Sequence, residues 1–130
     1  EEKIKFYKPY EVLTHHSGDL NIDHRRIHEA VLTATRPVPG NFVKKLLSFE
    51  VSSSTDYQIN TSSLIFKPNY FVDISSTIKK KLDALREYKS EMRDWPHTRS
   101  IKAIEALSIT RGSQVGVKYA EAFSLLRYIE

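Results

Sequence analysis

The sequence contains no cysteine, one methionine, one tryptophan and only four glycines among 130 residues. Without cysteine no disulfide can form, and a metal site has to use nitrogen and oxygen ligands. No apolar run approaches the ~20 residues that span a bilayer, and no signal-peptide pattern is present. These absences predict a chain without a membrane span and favour a cytoplasmic location.

What is present is the composition of a globular domain, with 40% hydrophobic and 28% charged residues. The net charge is +4, and its densest run, residues 79–81, falls within a predicted helix. Basic and aromatic residues are not interleaved on one predicted face, as a single-stranded nucleic-acid groove requires. We therefore expect no nucleic-acid partner.

Hydrophobic periodicity predicts a mixed α/β domain without internal repeats. Apolar, β-branched segments predict strands at 10–16, 46–51 and 69–75. Amphipathic segments predict helices at 21–36, 75–92, 98–112 and 117–129. No element is predicted before the first strand, and residues 55–63 are predicted to be a polar loop.

The first predicted helix has both a cap and an apolar stripe. Asn21 is a good N-cap, and the predicted buried stripe consists of Ile27, Ala30, Val31 and Ala34.

The stretch SGDLNIDHRRIHEA, residues 17–30, gathers reactive side chains where the first strand gives way to this helix. Ligands in α/β folds bind at such junctions, outside the carboxyl ends of strands. His24 and His28 are four residues apart and share a helix face, so they could bind one metal ion. This spacing is common by chance, and on its own it favours histidines simply exposed on the first turns.

The neighbours of His24 are more suggestive. A carboxylate at Asp23 suits the positive helix N-terminus, which also disfavours protonation of His24 and keeps it able to bind metal. Asp19 could cap the turn or reach a substrate. His15 and His16 leave the strand on opposite faces, so at most one readily points into the crevice.

Together the motifs resemble the LmbE/PIG-L family of zinc-dependent N-acetylglucosamine-type deacetylases, over nearly the whole chain from Tyr10 to Arg127. The segments that carry the resemblance are THHSGDLNIDHRRIHEAVLTATRP, NYFVDISSTIKKKLDALREYKSE, WPHTRSIKAIEAL and RGSQVGVKYAEAF.

The resemblance implies a Rossmann-like, three-layer α/β fold and a zinc site. His24 corresponds to the last histidine of the family's HPDH motif and is the implied zinc ligand, with Asp23 as its orienting neighbour. Asn21 stands where the family has a catalytic histidine. An amide can donate to an oxyanion but cannot shuttle a proton, so that catalytic role is in doubt or passes to His16 or Asp19.

The family's HPDDE motif, with its general base and two further zinc ligands, does not occur in the 130 residues. We therefore interpret residues 1–130 as the C-terminal portion of a single deacetylase domain. The portion alone is expected to bind zinc weakly, to lack activity and to expose apolar surface that favours homo-oligomers.

The resemblance also suggests contacts to an N-acetylated amino sugar or glycoconjugate. Tyr119 and Arg111 in the last motif, and Arg99 in the segment WPHTRS, are the candidate substrate-binding residues. The pattern is equally consistent with purely structural roles. Tyr119 could be a core aromatic residue, and the region of Arg99 could form a helix cap and a surface turn. A non-catalytic binding or scaffold domain that retains the fold is the alternative to the enzyme.

Overall fold

The computed structural model describes residues 1–59, 61 and 63–130, and the chain divides into two compact units. The first unit consists of Glu1–Asn69 and Phe123–Glu130, and the second of Tyr70–Ala122. Within the described residues, no helix combines the length and the apolar character needed to cross a membrane.

The elements confirm the predicted mixed α/β class and form one four-stranded sheet in the order β1-β2-β4-β3. In chain order they are α1 (Glu2–Tyr7), β1 (Glu11–His15), α2 (Ile22–Ala34), β2 (Lys45–Phe49), β3 (Tyr70–Asp73), α3 (Ile78–Glu87), α4 (Ile101–Ser113) and β4 (Ala120–Tyr128).

Strand β2 is the buried centre of the first unit. It pairs in parallel with β1, so that His15 stands opposite Phe49 where both strands end, and it pairs antiparallel with β4. Leu46 and Leu47 are each 1% exposed, as expected of a strand covered on both faces. The parallel pairing places the carboxyl ends of β1 and β2 at the same edge of the sheet.

Helix α2 begins as predicted, because the Asn21 side chain accepts a hydrogen bond from the backbone N–H of Asp23. Its buried face differs from the predicted stripe. His28 and Thr35 are buried, whereas Ile27 is 44% exposed. The helix is therefore rotated relative to the prediction. The two polar side chains can be buried because both have backbone partners: His28 Nδ1 lies 2.7 Å from the His15 carbonyl oxygen at the end of β1, and the Thr35 hydroxyl donates to the Val31 carbonyl oxygen of α2 itself at 2.8 Å.

In the second unit, the amphipathic helix predicted at 75–92 is the shorter α3, which buries Leu82, and Ile74 is buried just before it. Helix α4 begins three residues later than the predicted 98–112, because Ser100 is its cap: the Ser100 Oγ accepts from the N–H of Ala103 at 3.1 Å. Gly112 lies inside the last turn of α4, where a Cβ would come within 2.6 Å of the Val117 carbonyl oxygen.

Two predictions about the chain's ends were wrong. Residues 117–129 were predicted to be helical but contain strand β4, because the segment's backbone pairs with the buried strand β2 and that pairing overrides helical periodicity. Helix α1 precedes the first strand, where no element was predicted; it has only six residues and buries none of them. Of the predicted polar loop, residues 60 and 62 lie outside the described residues.

Candidate functional site

Two loops meet at the carboxyl ends of β1 and β2. One leads from β1 through residues 16–21 into α2, and the other follows β2 and contains Ser54. The N–H of Leu20 donates to the Ser54 carbonyl oxygen at 3.4 Å, and the Gln58 amide donates to the Gly18 carbonyl oxygen at 2.9 Å. These bonds join the loops at the kind of sheet edge where α/β proteins bind ligands.

Asp19 is the centre of this junction, and its side chain is 0% exposed. One carboxylate oxygen, Oδ1, accepts from the backbone N–H of Asn21 at 2.8 Å and from the Ser54 hydroxyl. The other, Oδ2, accepts from the Thr55 hydroxyl at 2.7 Å. A buried carboxylate requires such donors, because burying an uncompensated charge is costly.

The same donors set the charge of Asp19. Burial alone would raise the pKa of its carboxyl, because it disfavours the charged form. Hydrogen bonds from Ser54, Thr55 and Asn21 oppose this effect, and His24 contributes another. The net result is a pKa below the ordinary value, so Asp19 is ionised at neutral pH and acts only as an acceptor.

His24 lies on the first turn of α2 with Nδ1 directed at this carboxylate. Nδ1 is 3.2 Å from Asp19 Oδ1 and 3.2 Å from Ser54 Oγ. The ring is 19% exposed, and within the described residues Nε2 makes no hydrogen bond and is not sealed from solvent. A histidine whose one nitrogen is held by a carboxylate while the other is open has the arrangement typical of a metal ligand.

His15 covers one face of His24. The two rings are stacked with centroids 4.0 Å apart and an interplanar angle of 22°. Burial lowers the pKa of His15, a positive charge on His24 lowers it further, and Asp19 partly opposes the shift. His15 is therefore neutral at pH 7, so the stacked pair avoids placing two positive charges against each other.

The structure places Asp23, the orienting residue implied by the resemblance, on the exposed side of the first turn. Its backbone N–H donates to the Asn21 side chain at 2.9 Å. The carboxylate that contacts His24 is Asp19, five residues earlier in the chain. Asn21 thus serves as the helix cap at the mouth of the junction.

Removing this cap should weaken α2 without touching Asp19. We expect Asn21→Ala to lower the free energy of unfolding by about 1 kcal/mol, because the Asp23 N–H loses its acceptor. Asn21→Ser, which keeps a capping oxygen, should stay within about 0.5 kcal/mol of the wild type. Urea denaturation of the three proteins checks this, and equal losses for both variants would contradict the capping role.

Two other histidines near the junction, His16 and His28, are buried and engaged. His16 is 8% exposed, and its Nε2 lies 2.9 Å from the Leu64 carbonyl oxygen. His28 is 7% exposed, and its Nδ1 lies 2.7 Å from the His15 carbonyl oxygen. His28 is thus a packing residue that ties α2 to the end of β1, and not a second partner for a metal at His24.

The three candidate substrate-binding residues belong to the second unit and are half-buried. Their side chains make these contacts: Arg99 with Glu91 at 2.6 Å, Arg111 with Gln114 at 3.2 Å, and Tyr119 with Glu105 at 3.4 Å.

Ser54 and Thr55 were not predicted from the sequence. The available signal was the run SSSTD, residues 52–56, which begins three positions after the end of β2, at the edge where the predicted site lies. Recognising it required knowing that β1 and β2 are parallel neighbours.

The donor set fits one position of a zinc site. His24 Nε2 is the accessible nitrogen, and Asp19 supplies the outer support. Within the described residues no group of three or more histidine, aspartate or glutamate side chains is arranged to hold a metal ion. Since zinc sites use three or four protein ligands, a zinc ion at His24 would need ligands that the described residues do not group around it.

No family model matches the sequence. Among solved structures, the chain is similar to the conserved protein TT1542 from Thermus thermophilus, with a TM-score of 0.70 and 23% identity over 98% of this chain and 56% of that chain. It is also similar to N,N'-diacetylchitobiose deacetylase from Pyrococcus horikoshii, solved with its inhibitor MPG, with a TM-score of 0.66 and 20% identity over 97% of this chain and 49% of that one. The chain therefore has a fold seen in a deacetylase and spans about half the length of these proteins.

Proposed function

We propose that the chain is the C-terminal portion of a zinc-dependent hydrolase of the LmbE/PIG-L type, with a Rossmann-like three-layer fold. The intact enzyme would remove the N-acetyl group from an N-acetylglucosamine-type amino sugar or its conjugate. The observation that carries the proposal is the Asp19–His24 pair at the shared edge of β1 and β2, in a fold similar to that of a deacetylase. The non-catalytic alternative is not favoured, because no described contact occupies His24 Nε2.

Each residue of the junction has a distinct task in this proposal. His24 would hold zinc through Nε2, and Asp19 fixes the orientation of its ring. Bound zinc supplies Lewis acidity toward a water molecule and the amide carbonyl. Asn21 uses its side-chain oxygen as the helix cap, which leaves its amide N–H groups to donate to the substrate carbonyl oxygen.

Other parts of the proposal rest on the sequence. Tyr119, Arg111 and Arg99 remain the candidate contacts for the sugar. The general base and further zinc ligands would come from a part of the protein outside residues 1–130. Self-association and a cytoplasmic location also stay predictions.

Zinc titration of the chain tests the metal part of the proposal. We expect a Kd weaker than about 1 μM, equivalent to about 8 kcal/mol, because complete structural zinc sites gain about 10–16 kcal/mol and His24 supplies one ligand. His24→Ala should abolish this binding, and His97→Ala, a matched change in the second unit, should not. Calorimetry at neutral pH checks both. Submicromolar binding by the wild type that His24→Ala abolishes would contradict the incomplete site, and binding unaffected by His24→Ala would contradict the ligand.

Activity is tested on the intact protein with N,N'-diacetylchitobiose as the probe. We expect acetate release, and a loss with His24→Ala larger than the roughly 100-fold typical of outer-shell changes. Acetate release that persists in the His24→Ala variant would remove His24 from the mechanism. If the intact protein binds zinc but does not deacetylate the probe, the proposed metal site stands and the proposed substrate class is wrong.

A further inference from the structure

We propose that Ser54 is a positioning residue for His24. The Ser54 hydroxyl fixes the imidazole proton of His24 on Nδ1 and so keeps the lone pair of Nε2 available. The inference deepens the proposed function and rests on it only for the metal ion that Nε2 would bind. Its structural basis is the contact between the loop after β2 and the first turn of α2.

Counting hydrogen-bond donors identifies the tautomer. A serine hydroxyl has one proton, and Ser54 donates it to Asp19 Oδ1. Toward His24 Nδ1, 3.2 Å away, the Ser54 oxygen can then only accept. The Asp19 carboxylate, also 3.2 Å from Nδ1, has no proton to give. Since both neighbours are acceptors, Nδ1 must be the donor, and a neutral imidazole then carries its lone pair on Nε2.

Ser54 and Thr55 have different roles at Asp19. Thr55 donates to Asp19 Oδ2, and its oxygen accepts from the backbone N–H of Val51 at 2.8 Å. Thr55 therefore ties the carboxylate to the loop. Ser54 is the hydroxyl that also faces the imidazole, and it is only 7% exposed, so water does not readily replace it.

The decisive measurement is the tautomer of His24 in the metal-free, ¹⁵N-labelled chain, read from long-range ¹H–¹⁵N NMR spectra at neutral pH. We expect the wild type to carry its proton on Nδ1. Ser54→Ala should lower the ratio of the Nδ1–H to the Nε2–H tautomer by about 5- to 10-fold, the effect of one lost hydrogen bond. Ser54→Thr, which retains the hydroxyl, should restore the ratio.

The matched control is Ser52→Ala, the same change two residues earlier in the same loop, which should leave the ratio unchanged. Ser54→Cys is nearly isosteric but a weak hydrogen-bonding group, so it should act like Ser54→Ala even if that variant does not fold. A wild-type Nε2–H tautomer overturns the proposal. A folded Ser54→Ala or Ser54→Cys variant whose ratio stays within twofold of the wild type also overturns it.

Zinc chloride added to the same samples separates this inference from the proposed function. If Nε2 binds zinc, Ser54→Ala should weaken the affinity at the His24 signals about 10-fold, as the loss of an outer-shell partner does. A tautomer change without any zinc response at His24 supports the positioning role and contradicts the metal site. Zinc binding at His24 that is independent of both Ser54 and the tautomer supports the metal site and contradicts the positioning role.

Discussion

Asp19→Asn is expected to lower the free energy of unfolding by about 3 kcal/mol. Asparagine has nearly the same shape, but its side chain has one acceptor oxygen where the carboxylate has two. At least one of the donors now directed at Asp19, from Asn21, Ser54 and Thr55, would then face an amide N–H in a fully buried position. Each buried group left unsatisfied costs about 1–3 kcal/mol, more where a charge is involved.

Urea denaturation at pH 7 measures this effect, and Asp23→Asn is the matched control. Asp23 is an exposed carboxylate near the N-terminus of α2, so its neutralisation should cost only about 0.3–1 kcal/mol through the helix dipole. A loss below 1 kcal/mol for Asp19→Asn, or similar losses for the two variants, would contradict the central position of Asp19.

The acid dependence of stability follows from the same contacts. The pKa of Asp19 is lowered in the folded state, so its ionisation stabilises the fold above the unfolded-state pKa of about 3.9. That contribution is lost as the pH falls through the lower, folded-state pKa. The Asp19→Asn variant lacks this component, and its stability should therefore fall less steeply than that of the wild type below about pH 4.

How much of the fold was predictable depended on how local the signal was. The start of α2 was predicted correctly, because Asn21 and the helix it caps are neighbours in sequence. The helix predicted over β4 was wrong, because Ala120–Tyr128 contains good helix formers and becomes a strand only through pairing with β2, whose residues lie 74 to 83 positions earlier. The prediction of the buried face of α2 was wrong for a related reason. His28 and Thr35 are polar in sequence and are buried because backbone carbonyls meet their polar atoms.

The candidate site shows the same division. Periodicity and the strand-to-helix junction pointed to the region of His24 and Asp19, and the structure brings these two side chains together. The hydroxyls that complete the arrangement, Ser54 and Thr55, come from the loop after β2 and were not predicted. A sequence motif contains only residues that are neighbours along the chain, whereas a junction of parallel strands assembles residues about 35 positions apart.

Gly18→Ala is the second change with a large expected effect, a loss of about 1–3 kcal/mol in the free energy of unfolding. A Cβ at position 18 would lie 2.4 Å from the Leu64 carbonyl oxygen, 2.7 Å from the Leu64 Cα and 2.8 Å from His16 Nε2. Two of these three atoms are backbone, so the clash cannot be relieved by a side-chain rotation, and overpacking of this kind typically costs about 1–3 kcal/mol.

The clash would also separate two groups that now bind each other, because His16 Nε2 and the Leu64 carbonyl oxygen are 2.9 Å apart. We therefore expect the Gly18→Ala variant to show a lower urea midpoint together with altered NMR signals of His16, whose ring also contacts Phe66 edge-on at 5.3 Å. Ser17→Ala is the control, since Ser17 is exposed and its loss of a hydroxyl should change stability by no more than about 0.5 kcal/mol. If Gly18→Ala were as stable as Ser17→Ala, the close packing of the loop after β1 against Leu64 would be refuted. A loss of stability with unchanged His16 signals would instead place the strain away from the His16–Leu64 contact.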